Sequence, residues 1–198
     1  MLRTELWHEA SIVAGRWGPE EDHVSLKGWL MAKVVNFPNL KIAISENERE
    51  VIYTFQGHVD ENFRQEDVPR IKRPSIIFHL ADVHNVNSCG IREWVYLVRD
   101  ISKLSKLIFR ECSVNMIDQI NMVPDSLGTA TIESFFAPYF CECGGGVNRL
   151  IMVKEAGELL AAKTAPHFDC ERCGKPLEFD ALEESYFLFA DNVLPQVG

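Results

Sequence analysis

The chain has 198 residues, of which 46% are hydrophobic and 25% are charged, values that are ordinary for a globular protein with a substantial core. Its formal net charge of −9 argues against a surface for nucleic acid, because such surfaces depend on clustered lysine and arginine. No stretch approaches the roughly 18 consecutive apolar residues that a membrane-spanning helix needs, so we expect neither a nucleic acid nor a membrane as partner.

The N-terminus lacks the basic and then apolar pattern of a secretory signal peptide in residues 1–9. We therefore expect a cytoplasmic protein in which the six cysteines are reduced. Residues 1–39 form an N-terminal segment to which no role is assigned. Within it, residues 6–14 fit a short helix that ends at Gly15 or at Gly18.

Two runs of alternating apolar and polar residues follow, at Leu40–Ile44 and Val51–Phe55. The polar connection between these runs predicts an antiparallel hairpin. A short helical segment is expected within residues 63–71, before Pro74.

The next part of the chain has the pattern of a strand, a helix and a second strand. Ser75–Leu80 is a nearly continuous apolar run of strand length, which is typical of a strand buried on both faces. Apolar residues then recur at helical spacing between Ile91 and Leu104, and Lys106–Arg110 resembles another strand. This order predicts a parallel βαβ unit with a right-handed crossover.

A second helix is predicted to begin near Asn115, a good N-cap residue, to bury Ile117 and Ile120, and to end before Pro124. Strand character then appears in residues 131–143, 148–153 and 186–190. Residues 158–163 fit either a strand or a helix. The fold class predicted from these elements is α/β, with a mixed sheet and helices in residues 40–140 and a small β-rich element in residues 141–198.

The loop before the first of these helices is the candidate site of interaction. It spans Ala81–Gly90, and loops at the carboxyl ends of parallel strands are where ligands and partners meet such folds. Ser88 lies at or next to the expected N-cap, where a phosphate would face free backbone N–H groups and the positive end of the helix dipole. The simpler alternative is an N-cap serine followed by a permissive glycine. His84 is interpreted as a solvated loop residue, so we predict no catalytic residue and no enzyme.

Three segments of this region together resemble the STAS domain, which occurs in anti-sigma-factor antagonists and in the tails of sulphate transporters. The segments are Phe55–Asp60, Ile76–Val83 and Val86–Ile91. The most specific part is the family motif Asp-Ser-Ser/Thr-Gly-Leu, which Asn87-Ser88-Cys89-Gly90-Ile91 matches. The resemblance covers the domain at residues 40–140, and it implies a STAS-like mixed sheet and a non-enzymatic regulatory module that binds other proteins.

Carried over residue by residue, the resemblance makes Ser88 the phospho-acceptor and Asn87, Ser88, Cys89 and Gly90 the interaction loop. The partner that it implies is a kinase, an anti-sigma factor or another signalling protein. Asn87 stands where the family has an acidic residue, and Cys89 stands where it has a second hydroxyl residue. Two roles therefore remain open, a switch operated by phosphorylation and a docking module without one.

Two short cysteine pairs lie near the C-terminus, Cys141-Glu142-Cys143 and Cys170-Glu171-Arg172-Cys173, and 26 residues separate them. A glycine follows each pair and eases a tight turn. Two such turns brought together supply the four thiolates of a tetrahedral structural zinc site. We predict that Cys141, Cys143, Cys170 and Cys173 bind one zinc ion in a zinc-ribbon-like extension packed on the STAS-like domain.

Three alternatives for these cysteines remain open, namely disulfides, a redox-active Cys170–Cys173 pair, and cysteines that no longer bind metal.

Taken as a whole, the sequence favours a regulatory interaction module. The alternative is a thiol-redox or metal-dependent protein that acts through the four cysteines. A third hypothesis is a structural subunit that makes contact near Phe135 and Phe136.

Overall fold

The computed structural model describes residues 30–193, so the helix predicted in residues 6–14 lies outside the described residues. Within the described range the chain is mixed α/β, with a six-stranded sheet, a three-stranded sheet and helices. The α/β class and the mixed sheet predicted from the sequence are therefore confirmed.

The larger sheet contains six strands in chain order: β1 (Leu30–Asn36), β2 (Leu40–Glu46), β3 (Glu50–Val59), β4 (Ser75–Val86), β5 (Lys106–Arg110) and β6 (Thr131–Ile132). The first three are antiparallel neighbours, which confirms the predicted hairpin. From β3 to β6 all neighbours are parallel. Residues 30–36, which the sequence analysis placed in the N-terminal segment, thus belong to this sheet as β1.

Two helices make two of the three parallel connections. Helix α1 (Gly90–Ser102) joins β4 to β5, and α2 (Val114–Met122) lies between β5 and β6. The parallel βαβ unit is therefore confirmed, and β5 has the bounds that the sequence predicted. The core packs tightly around Trp94 of α1, because the rings of Phe55, Phe78 and Phe109 lie 5.2, 5.6 and 5.8 Å from it.

The smaller sheet has the order β8-β7-β9, in which both pairs are antiparallel. Its strands are β7 (Ser134–Cys141), β8 (Gly145–Met152) and β9 (Glu178–Phe179), and the helices of this part are α3 (Val153–Ala161), α4 (Glu183–Tyr186) and α5 (Ala190–Val193). Phe135, Tyr139, Ile151 and Phe187 share one buried cluster with the residues of the larger sheet. The two sheets therefore share a single hydrophobic core.

The strand predicted in residues 186–190 is wrong, because this segment is helical. It contains the last residue of α4, a 3₁₀ turn at Phe187–Phe189 and the start of α5. Asn121 bonds the carbonyl of Tyr186 and the N–H of Phe189, each at 2.8 Å. Its side chain thereby satisfies backbone groups that a strand would offer to a neighbour. The ambiguous residues 158–163 lie in α3 up to Ala161.

Two further boundaries differ from the sequence prediction. The N-cap of α2 is Ser113 rather than Asn115, since the Ser113 hydroxyl accepts the N–H of Met116 at 3.2 Å and donates to the Val83 carbonyl at 2.6 Å. Asn115 donates instead to the carbonyl of His84 at 2.6 Å. The helical segment expected in residues 63–71 is only a 3₁₀ turn at Gln65–Asp67.

Candidate functional site

The loop that precedes α1 is shorter than the sequence predicted. Strand β4 continues through Ala81 to Val86, so the predicted loop Ala81–Gly90 reduces to Asn87, Ser88 and Cys89. The reason is that β4 remains paired with the far end of β3, where Val59 lies opposite Val86. The loop therefore sits directly at the carboxyl ends of two parallel strands, the position where such sheets meet ligands and partners.

Asn87 supplies the cap of α1. Its side-chain oxygen accepts the N–H groups of Cys89 at 3.0 Å and Gly90 at 2.9 Å, and its backbone carbonyl accepts the N–H of Ile91 at 2.9 Å. These bonds satisfy donors that a helix start leaves without a partner. Ser88 therefore lies next to the capping residue and does not perform the capping itself.

The Asn87 amide also makes a bond that a carboxylate could not make. Its nitrogen donates to the carboxylate of Glu61 at 2.7 Å. An aspartate at this position would bring two carboxylates together, which raises the pKa of one or repels both. The amide of Asn87 therefore supplies the donor that the carboxylate of Glu61 accepts.

Ser88 and Cys89 are exposed, whereas Gly90 is buried. Within residues 30–193 the Ser88 hydroxyl forms no hydrogen bond. A Cβ atom on Gly90 would clash with the backbone carbonyl of Val59. The close approach of α1 to β3 therefore requires glycine at this position.

A shallow depression of about 450 Å³ lies beside this loop. Its lining residues carry charges of both signs and are Glu61, Arg64, Glu66, Cys89, Arg92 and Glu93. The depression is open and polar, unlike the mostly apolar and enclosed cavities that bind small molecules. It resembles a contact surface more than a substrate pocket.

The four cysteines come together at one point. Cys141 ends β7, Cys143 lies in the turn to β8, and Cys170 and Cys173 lie in the connection between α3 and β9. The sulfur of Cys141 is 3.4 Å from that of Cys143 and 3.6 Å from that of Cys173, and the sulfurs of Cys143 and Cys170 are 3.5 Å apart. All four sulfur atoms lie within 4.8 Å of one another.

These separations fit a metal centre. A disulfide bond would place two sulfurs about 2.05 Å apart, and all four cysteines are free. Four sulfurs at the Zn–S distance of about 2.3 Å in a tetrahedron lie about 3.8 Å from each other. The observed separations are close to that value, so the cluster is compatible with a bound metal ion.

Tight turns position the sulfurs. The N–H of Gly144 donates to the carbonyl of Cys141 at 3.0 Å, and the N–H of Gly174 donates to the carbonyl of Cys170 at 2.8 Å. Gly174 adopts a φ of +70°, a left-handed conformation that glycine reaches without steric cost. The glycine that follows Cys173 is therefore required by the turn.

The surroundings of the sulfurs act in opposite directions, lowering the pKa of Cys170 and raising the pKa of Cys141 and Cys143. The backbone N–H groups of Arg172 and Cys173 lower the pKa of Cys170 to about 6, because they donate hydrogen bonds to its thiolate. Its neighbour Cys143 has its pKa raised to about 12, chiefly by the hydrogen bond with Cys173. If further cysteines of the cluster are deprotonated beside the Cys170 thiolate, a cation is needed to balance their negative charge. Thiolates are soft ligands, and they select metals such as zinc.

The other cysteines do not join this cluster. Cys89 is exposed on the loop before α1 and Cys112 is buried. Burial raises the pKa of Cys112 far above its usual range. The structure thus brings together the four predicted ligands and leaves the remaining two apart.

Sequence reasoning missed one polar pair on the larger sheet. The ring nitrogen Nε2 of His79 lies 3.1 Å from a carboxylate oxygen of Glu111, and the hydrogen bond from His79 holds the pKa of Glu111 below its usual value. Glu111 has a φ of +51°, which is uncommon for a residue with a side chain. No sequence pattern marks such a backbone, so only the position of Glu111 directly after β5 could have drawn attention to it.

Comparison with known proteins finds no family model, no curated protein and no solved structure that matches the chain. Among residues 30–193, no helix combines the length and the apolar character needed to cross a membrane. The loop before α1 and the cysteine cluster are therefore the features on which a functional conclusion depends.

Proposed function

We propose that the chain is a non-enzymatic, regulatory protein–protein interaction module of the STAS type, and that the loop Asn87–Gly90 is its contact surface. The observation that carries this proposal is the cap of α1. Because the side chain of Asn87 binds the first N–H groups of the helix, Ser88 and Cys89 are left exposed at the carboxyl ends of the parallel strands.

The surroundings of the loop support contact with a protein rather than catalysis. The depression beside it is open and lined by both carboxylates and guanidinium groups, a composition common in the polar rim of protein interfaces. Arg92, on α1, has 71% of its side chain exposed. Charges that project in this way favour recognition of a partner with a complementary surface.

Ser88 is the proposed site of phosphorylation by a partner kinase. Its hydroxyl is exposed, and it is not needed for the cap. A phosphate there would add about −1.5 to −2 charges beside the positive end of α1. Such a change alters the charge of the contact surface and leaves the hydrogen bonds of Asn87 intact, so the partner set can change without a change of fold.

The four-cysteine cluster is proposed to hold one structural zinc ion. Cys141, Cys143, Cys170 and Cys173 would all be ligands, which leaves no open position for water or substrate. The ion would join the turn between β7 and β8 to the connection before β9. A reducing compartment, such as the cytoplasm, fits a site of this kind because its ligands must remain thiolates.

The switch is tested by mass spectrometry of the protein isolated from its own cells, combined with affinity purification of variants. We expect phosphate on Ser88 and a changed partner set for Ser88→Asp. The matched control is Ser185→Asp, because Ser185 is an exposed serine that belongs to α4 and not to the loop. Identical partner sets for wild type and Ser88→Asp, with no phosphate on Ser88, would contradict the switch.

A thiol-redox function of the cysteine cluster is the second candidate. It is favoured by the geometry of the four free cysteines, whose sulfurs lie within 4.8 Å of one another, because a disulfide forms only between cysteines that lie close together. Metal analysis with thiol counting separates the two candidates. One tightly bound zinc ion with no reactive thiol in the cluster supports the structural site. Absence of metal with a readily cycled Cys170–Cys173 disulfide supports the redox function.

A further inference from the structure

The three connections between the parallel strands of the larger sheet all run in one direction, from β3 to β4, to β5 and to β6. Because such crossovers are right-handed, they lie on one face of the sheet. Trp94 of α1 packs there against Phe78, and the carbonyl of Pro69 in the first connection accepts the hydroxyl of Tyr53. Residues 134–193 contact the larger sheet mainly through α2 and β5. In the described range, these elements leave the opposite face without a covering layer.

Two rows of paired residues cross this opposite face, one from β1 to β3 and one from β3 to β5. They alternate along their strands with residues of the core, so their side chains point away from α1. Together we call them the rear face, which consists of Val34, Ala43 and Thr54 in the first row and Ile52, Ile77 and Ile108 in the second.

The rear face has the composition of a surface that is covered. Val34 is 39% exposed, and Ile52 and Ile108 are half-buried. A sheet face that meets water usually carries polar side chains, whereas aliphatic residues on both faces of a strand are typical of a sheet with a layer on each side. A contiguous apolar surface of this kind marks a contact site.

The chain itself supplies a segment that fits this face. Strand β1, from which Val34 projects, forms the edge of the same sheet, and 29 residues precede it. These residues lie outside the described range. Their sequence places apolar residues at intervals of three or four, the spacing of one side of a helix, at Leu2, Leu6, Ala10, Val13 and Trp17.

The length of the segment suits the width of the sheet. From β1 to β5 there are four spacings between strands, about 19 Å in all, and the 16 residues from 2 to 17 would extend about 24 Å as a helix. Residues 18–29 remain to connect them to β1. A tethered segment acts at an effective concentration of about 1 mM or more, whereas the net charge of −9 opposes contact with a second copy.

We infer that residues 2–17 lie across the rear face and bury their apolar side against Ile52, Ile77 and Ile108. The N-terminal segment, to which the sequence analysis assigned no role, is then the second layer of the larger sheet. This contact lies on a face of the sheet and not at the strand ends, so it does not depend on the role of the loop Asn87–Gly90.

Photo-cross-linking of the full chain tests which segment occupies the rear face. A photo-reactive amino acid is placed at Thr54, or at the control position Tyr96, which is 39% exposed on α1. An equal mixture of unlabelled and ¹⁵N-labelled protein distinguishes adducts within a chain from adducts between chains. We expect position 54 to join residues 2–17 of its own chain and position 96 to join none of them. Adducts only with a second copy or another protein, no adduct, or the same adducts from both positions overturn the inference.

Acrylamide quenching of Trp17 supplies a second readout, measured as the difference between each protein and the same protein carrying Trp17→Phe. We expect Trp17 to be shielded in the otherwise unchanged chain and several-fold more accessible in Thr54→Arg, because a charge on the rear face displaces the segment. The control Tyr96→Arg should leave Trp17 shielded. If circular dichroism shows that Thr54→Arg is misfolded, Val34→Arg at an exposed position takes its place. Equal quenching of Trp17 with and without the rear-face substitution overturns the inference.

Discussion

The side-chain nitrogen of Asn87 lies 2.7 Å from the carboxylate of Glu61, and this hydrogen bond requires an amide rather than a carboxylate at position 87. The same amide accepts two backbone N–H groups at the start of α1. An amide has both a donor and an acceptor, whereas an ionised carboxylate has acceptors only. Both the donor and the acceptor of the Asn87 amide are therefore used in this chain.

The first prediction concerns Asn87→Asp. This change places two carboxylates in contact at an exposed position, and we expect it to lower the free energy of unfolding by up to about 1 kcal/mol at pH 7. The loss should shrink near pH 4, because protonation of either carboxyl restores a donor. Chemical denaturation measures both values, and Asn148→Asp at an exposed position is the control.

A double variant sharpens this test. Asn87→Asp combined with Glu61→Gln restores one donor and one acceptor, with the roles of the two residues exchanged. We expect the double variant to regain most of the lost stability. If Asn87→Asp alone is as stable as the wild type, the pairing with Glu61 is not what selects the amide.

The second prediction concerns Gly90→Ala. A Cβ atom at Gly90 clashes with the carbonyl of Val59, so α1 must move away from β3, and the cost should be about 1–3 kcal/mol or more. Gly146→Ala is the control, because a Cβ atom there comes no closer than 3.9 Å to the carbonyl of Tyr139. Equal thermal stability of the two variants would mean that the close approach of α1 is not needed.

The third prediction concerns the pH dependence of stability at Glu111. The hydrogen bond from His79 holds the folded-state pKa of Glu111 below its usual value of 4.5. A depressed folded pKa contributes stability above the unfolded pKa, and that contribution disappears as the pH falls through the folded value. Glu111→Gln should therefore destabilise the protein at pH 6 to 7 and have little effect well below pH 4.5.

Denaturation curves across this pH range check the Glu111 prediction. Glu155→Gln is the control, since Glu155 is exposed on α3, and it should show no comparable dependence on pH. A difference between wild type and Glu111→Gln that stays constant with pH would show that the carboxylate contributes through packing alone.

The fourth prediction concerns the metal. Protein purified without chelator should contain about one zinc ion per chain, and Cys170→Ser should lose it together with a large part of the thermal stability, since a structural metal contributes to folding. Cys89→Ser should keep both, because Cys89 lies outside the cluster. Elemental analysis and thermal unfolding measure the two effects. Full metal content in Cys170→Ser would remove Cys170 from the ligand set.

The parts of the fold that the sequence predicted well have strong local patterns. Strand β5, at Lys106–Arg110, has the predicted bounds, and the apolar spacing between Ile91 and Leu104 predicted α1. Residues 186–190 were assigned wrongly because a short apolar run fits a buried strand and a buried helix equally. The side chain of Asn121, distant in sequence, supports the helical form there.

In the candidate site, too, the features with a local sequence pattern were predicted, and those that depend on distant residues were not. The spacing of Cys141, Cys143, Cys170 and Cys173 was enough to predict their cluster. The capping role of Asn87 depends on its bonds within the folded loop and on Glu61, 26 positions away. Nothing in the local sequence around Glu111 indicates its left-handed backbone. Its contact with His79 could therefore be recognised only from the folded structure.

The proposal that the loop before α1 is the contact surface is tested most directly by cross-linking in the cell of origin. A photo-reactive amino acid is placed at Arg92, which projects from α1 beside the loop, or at Ser185 on α4. We predict a covalent adduct with a partner protein from position 92 and none from position 185. No adduct from position 92, or the same adducts from both positions, would contradict the proposal.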